Sequence, residues 1–466
     1  MGACVRAGGR GAAGLAGALL LGSAAAAQPL IPPGSVYRPD HATEDWSVLA
    51  DPARRTRPWH DAKWTALPGG GGLTLGADAK VRWETVDRPL FGVTGAEADS
   101  YLVRRVMLHA DWRPSRDVQG FVQLGHHGSE GRRQPFPLDE GGLDLQQAFV
   151  ELRGGTGSST QGLRLGRQEI AFSPRFVNPR DGVNIRSAYD GARGWMVRGP
   201  WRAEAFVTRP VANLSGDFDD ESDEGQTFSG LRLQYSWGAK QAWRVVGSAY
   251  RIDREAARIA GAAGPDDRRS WGVRVFGAQN GWDLDLEAYR QTGRFAGREI
   301  EAWGGGADAG WTARDVRWAP RVGVRLLYGS GDDDPTDGTA KTFVGPFARP
   351  PCCADPLWLT PSNIAVVAPV LSIKPSPRLT AEVHVGVITR LERADSLYAV
   401  PLIAYPRTAG QGGDRVSIAP TVSVNWVPLD EVNIQFHHVT QSAEGALRAA
   451  GGEDSRFTAV SVAVQF

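Results

Sequence analysis

The sequence predicts an all-β protein, a transmembrane antiparallel up-and-down β-barrel of about eighteen strands, with long extracellular loops and short periplasmic turns. Three observations carry this: repeated runs of about ten residues that alternate apolar and polar groups, a short-and-long rhythm in the joints between them, and an N-terminal export signal. Composition points the same way. The 466 residues include 58 Gly and 16 Trp but only 3 Met and 3 Cys, a mixture suited to strands and tight turns rather than long amphipathic helices. Lys+Arg and Asp+Glu both number 52, so the formal charge is zero and a strongly basic nucleic-acid binder is excluded.

At the N-terminus, Arg6 and Arg10 precede a small apolar stretch from Gly11 to Ala24, which leads into Ala25, Ala26, Ala27 and Gln28. Residues 1–27 read as a cleaved signal peptide, because the stretch is too Gly/Ala-rich and falls short of the roughly 18 residues a membrane helix needs. Export puts Cys352 and Cys353 in an oxidising compartment, where a vicinal disulfide and two free thiols both fit. Residues 28–72 do not alternate. Asp45-Trp46, Trp59, Lys63-Trp64 and the run Gly69 to Gly72 look like an irregular periplasmic lead-in packed at the barrel mouth, too short for a second domain. The barrel takes residues 73–466.

Within residues 73–87, Leu73, Leu75, Ala77, Ala79, Val81 and Trp83 share one parity, and Asp78, Lys80, Arg82 and Glu84 the other. A strand turns successive side chains to opposite faces, so this run has one greasy and one charged side. Such runs begin near residues 73, 101, 118, 143, 163, 191, 201, 227, 242, 268, 281, 299, 318, 363, 379, 414, 431 and 457. Short joints fall at 114–117, 154–162, 199–200, 238–241, 280–281, 374–378 and 428–431. Long polar loops fall at 88–100, 128–142, 171–190, 209–226, 253–267, 331–362, 391–413 and 442–456. This rhythm puts both termini in the periplasm of a Gram-negative cell and the barrel in its outer membrane.

A soluble propeller or sandwich needs dry inner faces. Here the polar parity carries Lys80, Arg82, Arg105, Asp111, Glu151, Arg193, Arg202, Glu204, Arg232, Arg244, Arg274, Arg321, Arg325 and Arg415, which a wet lumen tolerates. Arg104, Arg251 and Arg290 fall on the apolar parity near the extracellular ends, where lipopolysaccharide phosphates are within reach. Trp112, Trp201, Trp237, Trp243, Trp282 and Trp426 gather at the opposite ends as a periplasmic aromatic girdle. The last run, Phe457 to Phe466, alternates and ends on an aromatic residue, which resembles the signal read by the outer-membrane assembly machinery.

The most specific signal lies mid-chain. Ala148-Phe149-Val150-Glu151-Leu152 is followed by Leu163-Arg164-Leu165-Gly166-Arg167-Gln168-Glu169, by Asn178-Pro179-Arg180-Asp181-Gly182, and by Tyr189-Asp190-Gly191-Ala192-Arg193. Together with Gly329-Ser330-Gly331-Asp332 and Ser396-Leu397-Tyr398-Ala399-Val400-Pro401, this order resembles the alginate export family of outer-membrane proteins over most of residues 43–466. The resemblance implies an eighteen-stranded monomeric barrel whose arginine-rich lumen passes a polyanion. It also implies that Arg167 and Arg193 line the lumen, with Asp181, Arg186 and Asp190 as network partners; structural salt bridges that brace the barrel are the competing role for the last three. Arg82, Arg105, Arg232, Arg274 and Arg325 join them as lumen residues by strand parity. A planar guanidinium holds a carboxylate by two hydrogen bonds, and interleaved acids keep the anion from being trapped.

The expected activity is therefore passive passage of anionic saccharides or other organic anions, without cofactor, metal or bond chemistry. The competing class is a non-transporting surface or adhesion barrel acting through its loops. Two acidic runs, Asp332, Asp333, Asp334 with Asp337, and Asp217 to Glu224, suit Ca²⁺ but match no defined calcium loop, so a solvated loop is favoured. His126-His127 and His437-His438 read as polar lining, and no hydrolase or nucleotide-binding motif is found.

Overall fold

The computed structural model describes residues 35–133, 138–179, 183–259, 261–347, 356, 358–400 and 402–466. The expected signal peptide, Asp181, Cys352 and Cys353 lie outside the described residues.

Eighteen long strands close a barrel among the described residues. They begin with β1 (Gly72–Asp87), β2 (Asp99–Arg113), β3 (Val118–Glu130), β4 (Gly141–Thr156), β5 (Ser159–Gln168) and β6 (Tyr189–Arg198). The wall continues through β7 (Trp201–Ala212), β8 (Gln226–Trp237), β9 (Trp243–Ile259), β10 (Ala262–Gln279), β11 (Trp282–Phe295) and β12 (Arg298–Thr312). It ends with β13 (Arg321–Gly329), β14 (Ile364–Ser376), β15 (Leu379–Arg390), β16 (Arg415–Leu429), β17 (Val432–Gln441) and β18 (Ser455–Gln465). Chain neighbours pair antiparallel, and β1 closes on β18 from Asp78 opposite Gln465 to Asp87 opposite Arg456. Each run expected from the alternation falls on one of these strands.

Tight joints follow their turn chemistry. Between β10 and β11, Asn280 and Gly281 both take positive φ, 54° and 88°, the Asn-Gly geometry that matches the twist of a hairpin. One expected long loop is corrected. Residues 253–259 and 262–267 are strand, not loop, because β9 and β10 run on past a bulge between Arg254 and Ala257 to Ile259 opposite Ala262. Their polar side chains pair across the hairpin, Arg254 with Asp266 at 3.0 Å and Arg251 with Asp267 at 2.8 Å, so the ladder outlasts the apolar belt. Among the described residues no helix is long and apolar enough to cross a membrane, which leaves strands as the spanning elements.

The outer face is apolar in mid-barrel, with Leu108, Val207, Leu231, Val273 and Leu286 all exposed. Trp112, Trp201, Trp237, Trp282 and Trp426 are exposed at the short-turn ends, and Trp83, Trp271 and Trp303 stand towards the long-loop side. Arg104, Arg251 and Arg290 do point outward near that side, each beside an acid: Glu130, Asp267 and Glu301.

The interior differs from a wet channel. In the extracellular half, long loops fold inward onto inward-facing aromatics and bury an apolar core. Phe176 meets Tyr289 and Phe343 at centroid distances of 5.4 and 5.6 Å, and Phe91 meets Trp358 at 5.8 Å. The upper inward positions include the aromatics Tyr101, Phe206, Phe228, Tyr250, Tyr289 and Phe295 beside the buried Arg268 and Gln291.

Lipid exposure of the outer parity gives a depth-dependent test. Val273→Arg should destabilise the refolded barrel by about 2–4 kcal/mol, while Leu429→Arg at the last residue of β16 should cost about 0–1 kcal/mol. Guanidinium unfolding in lipid vesicles measures both, and equal costs would mean that Val273 does not face the hydrocarbon.

Candidate pore-lining site

The inward parity of β5 to β10 presents a ladder of arginines. Arg164 on β5 donates to Glu151 on β4 at 2.7 Å. Glu204 on β7 serves three guanidiniums, Arg193 at 2.5 Å, Arg232 at 2.8 Å and Arg202 at 3.7 Å, which leaves that cluster with two positive charges unbalanced. Arg274 on β10 grips Asp285 on β11 with two hydrogen bonds of 2.8 and 2.7 Å. Arg325 on β13, fully buried, reaches Asp308 at 3.0 Å and Glu382 at 3.2 Å. Because neighbouring strands carry these groups at matched registers, Arg164 stands opposite Arg193 and Glu204 opposite Arg232.

The described part of the loop between β5 and β6, residues 169–179 and 183–188, crosses into this ladder. Its Arg175 is buried and donates to the Asp285 carboxylate at 3.1 Å and the Asp285 carbonyl at 2.9 Å on the far wall. The carbonyl oxygen of Phe172 accepts from Arg232 at 3.4 Å and Arg274 at 3.2 Å, and its ring lies 4.2 Å from the Arg232 guanidinium. A backbone oxygen thus sits where two arginines converge. Neither Arg175 nor Phe172 lies in an alternating run, so periodicity gives no signal for them.

Of the residues expected in the lumen, Arg193, Arg232, Arg274 and Arg325 share this ladder. Arg82 and Arg105 also face inward on β1 and β2, Arg82 against Glu84 at 2.6 Å and Arg105 against Asp78 at 3.9 Å. Arg167 and Asp190 do not line the lumen. Arg167 falls on the parity of the outward Leu163 and Leu165, and it holds its cross-strand partner Asp190 by two bonds of 2.9 Å. The carbonyl of Asp220 and the hydroxyl of Ser222 cap that pair from the loop between β7 and β8, so it braces the extracellular rim. Arg186 is buried in the inward loop, where it binds Glu169 at 2.7 Å rather than Arg167 or Arg193. Strand parity alone points to Arg164, which the motif match passes over in favour of Arg167. Arg415 stands exposed near Glu444 at the loop side, outside the ladder.

The lead-in occupies the lumen from the periplasmic side rather than resting at its mouth. Ala42 packs on Phe121 and Phe149, and its carbonyl accepts from Gln119 at 2.9 Å. Arg186 from the inward loop donates to the Pro39 carbonyl at 3.2 Å, so the two insertions touch inside the barrel. Tyr37, Trp46, Leu49 and Trp64 form a small apolar core beneath. Lys63, with no exposed side-chain surface, donates to the Phe466 carbonyl at 2.7 Å and lies 4.6 Å from the Trp46 ring. A cavity of about 80 Å³ is left between Tyr37, His41, Lys80, Arg105 and the β17–β18 wall.

The charges that dock the lead-in respond to pH in a defined direction. Burial opposes the charge of His41, but hydrogen bonds to Asp78 at 3.2 Å and Glu44 at 2.7 Å outweigh it and push the imidazole up to about 10. Burial pulls Lys63 down to about 8 against the attraction of Glu44. A raised His41 contributes stability that is complete below about 6.5 and is lost as pH climbs through its folded value, whereas Lys63 begins to oppose that loss only above its own. Docking should therefore weaken by up to about tenfold between about pH 7 and 8. Trypsin cleavage after Lys63, normalised to cleavage after exposed Arg54, reads undocking; the ratio should rise over that window in the wild type and stay flat in His41→Gln, and a flat wild-type ratio would remove His41 from the account.

With this geometry in hand, likeness to known proteins becomes informative. The alginate export family profile matches residues 72–461. A search of curated sequences finds no significant match. Among solved structures, the barrel is similar to the outer membrane protein opdK from Pseudomonas aeruginosa, with 11% identity over 84% of this chain and 98% of that chain and a TM-score of 0.56. It is similar to OccK9 (OpdG) of the same organism, at 12% identity over 84% and 98% of the two chains and a TM-score of 0.56. It is also similar to Pseudomonas aeruginosa OccK2 (OpdF) in complex with glucuronate, at 13% identity over 84% and 98% and a TM-score of 0.53. At such identities the likeness concerns the fold alone, an outer-membrane barrel. Matched from its first barrel strand into its last, the chain belongs to the alginate export family of Gram-negative outer-membrane barrels.

Proposed function

We propose that this barrel is a passive channel for anionic saccharides of the uronate kind, or for other small organic anions, guided by the lumen arginines. One observation carries the reading: Arg232 and Arg274 converge on a single backbone oxygen, that of Phe172. Guanidinium hydrogen bonds to a carboxylate are roughly twice as strong as neutral ones, so a ligand carboxylate competes well for those donors. The shared Glu204 leaves positive charge to spare beside them. Glucuronate in the OccK2 complex and vanillate in an OpdK complex are both carboxylates, bound by barrels of similar fold. The same reading has the barrel act as a monomer, assembled into the membrane through the strand that runs to Phe466, with lipopolysaccharide around its outward arginines. No bond is made or broken.

A second reading, a non-transporting surface barrel that works through its loops, is favoured by the two insertions that meet at Arg186 and Pro39. Single-channel recording in a planar bilayer under a salt gradient separates the two. An anion-selective conductance that oligouronates block supports the channel. Arg193→Ala combined with Arg232→Ala should shift the reversal potential towards cation selectivity, because Glu204 is left without those two partners, while Arg167→Ala should leave selectivity unchanged. Unaltered selectivity in the double variant would remove the ladder from the account, and no conductance from a folded barrel would favour the surface protein.

A further inference from the structure

The loop between β7 and β8, residues 213–225, leans across the extracellular end of β4. Its backbone comes so close that a Cβ on Gly142 would stand 2.2 Å from the Gly216 carbonyl oxygen, and Asp217 accepts from the Leu143 N–H at 2.7 Å. This contact brings Asp144 of β4 beside Asp219 and Asp220 of the loop. One carboxylate oxygen from each of the three lies within 4.8 Å of the others, which is the span of two Ca–O bonds of about 2.4 Å.

Asp144 supplies an independent sign. The residue is 6% exposed, and while its Oδ1 accepts from the Asp220 N–H at 3.2 Å, its buried Oδ2 has no hydrogen-bond donor. A buried carboxylate oxygen without a donor is costly, and two further carboxylates beside it add repulsion. Arg167, the cation that acts on Asp144, is committed to Asp190 and to the carbonyls of Leu145 and Asp220. Asp219 accepts from the Gly216 N–H at 3.0 Å and Asp220 from the Leu214 N–H at 2.7 Å and the Asn213 side-chain amide at 3.0 Å, and a carboxylate with about four lone-pair sites keeps others for an ion.

We propose that Asp144, Asp219 and Asp220 bind a divalent cation, Ca²⁺ by the hardness of their all-oxygen donor set, and that the ion fastens this loop to the barrel rim. The assignment is independent of what the lumen carries. Fastening the loop also holds the Asp220 carbonyl on Arg167 at 3.2 Å and Ser222 on Asp190 at 2.7 Å, so the ion and the rim brace act on one element.

Calcium alone, titrated calorimetrically into the refolded full barrel in lipopolysaccharide-free detergent, tests the site. Saturable uptake of one ion is expected, with a dissociation constant of about 0.1–1 mM, the range of extracellular modules. Ca²⁺ should also slow Glu-C cleavage after Glu221 and Glu224 in the loop. Asp144→Asn should weaken binding by at least about tenfold and abolish the protection, since a neutral amide replaces one of three charged ligands. Heat-modifiable migration on gels reports that this variant still folds, and the exposed loop variant Asp219→Asn gives the same answer without touching a strand. Asp333→Asn with Asp337→Asn, in a separate acidic loop neutralised by Lys341, should bind as the wild type does. No saturable uptake by the folded wild type, or equal affinity in both Asp144→Asn and Asp219→Asn, overturns the proposal.

Discussion

Closure of β1 on β18 is the constraint from which the rest of the molecule follows, since a backbone N–H or C=O left unpaired in hydrocarbon costs several kcal/mol. A closed antiparallel ladder satisfies them all and fixes every side chain to one of two faces. Lipid claims the outer parity, which leaves the inner parity as the one place within the membrane's thickness where charge is tolerated. Arg193, Arg232, Arg274 and Arg325 sit there because strand geometry permits no other inward position at those registers.

Gathering arginines inside a narrow tube creates a second constraint. Each guanidinium brings several donors into space with little water, and leaving a buried charge without a partner costs more than the pair itself contributes. The chain answers from two sources. Carboxylates on adjacent strands, such as Glu151, Glu204, Asp285 and Asp308, offset part of the charge across the wall. Backbone carbonyls of the inserted segments take up further donors: Phe172 serves Arg232 and Arg274, and Pro39 serves Arg186. The inward loop is therefore coupled to the ladder through the ladder's own hydrogen-bond demand, and the lead-in to the inward loop through Arg186.

How much of this is legible in the sequence depends on the length scale of each signal. Period-two alternation is local, so every strand and most turn positions can be read from it, as can the inward direction of Arg193, Arg232 and Arg325. The exceptions expose the limits. The family motif points to Arg167, although counting parity from Leu163 and Leu165 puts Arg164 inward and Arg167 outward. Residues 253–267 read as a loop because polar composition masks a ladder held by cross-strand ion pairs. Aromatics at the upper inward positions, Phe206, Phe228 and Tyr289 among them, were visible in the sequence, yet the loops that cover them come from distant parts of the chain. Asp144 lies 76 residues from Asp220, and no local pattern links them.

Under the proposed function, the arrangement also bears on how a lumen can hold an anion without retaining it. If each arginine stood alone, a polyanion would gain a full charge-assisted pair at every step and stall there. Here Arg193 and Arg232 share Glu204, and Arg274 is already bidentate to Asp285, so an arriving carboxylate competes for donors that have a partner at all times. What it displaces is the neutral oxygen of Phe172, and the gain is the difference between two acceptors rather than the whole of one. That difference is on the order of 1 kcal/mol, which favours occupancy while keeping departure fast. A small step of this kind is what passive movement requires, and it arises beside the same acids that let so many arginines be folded into the barrel.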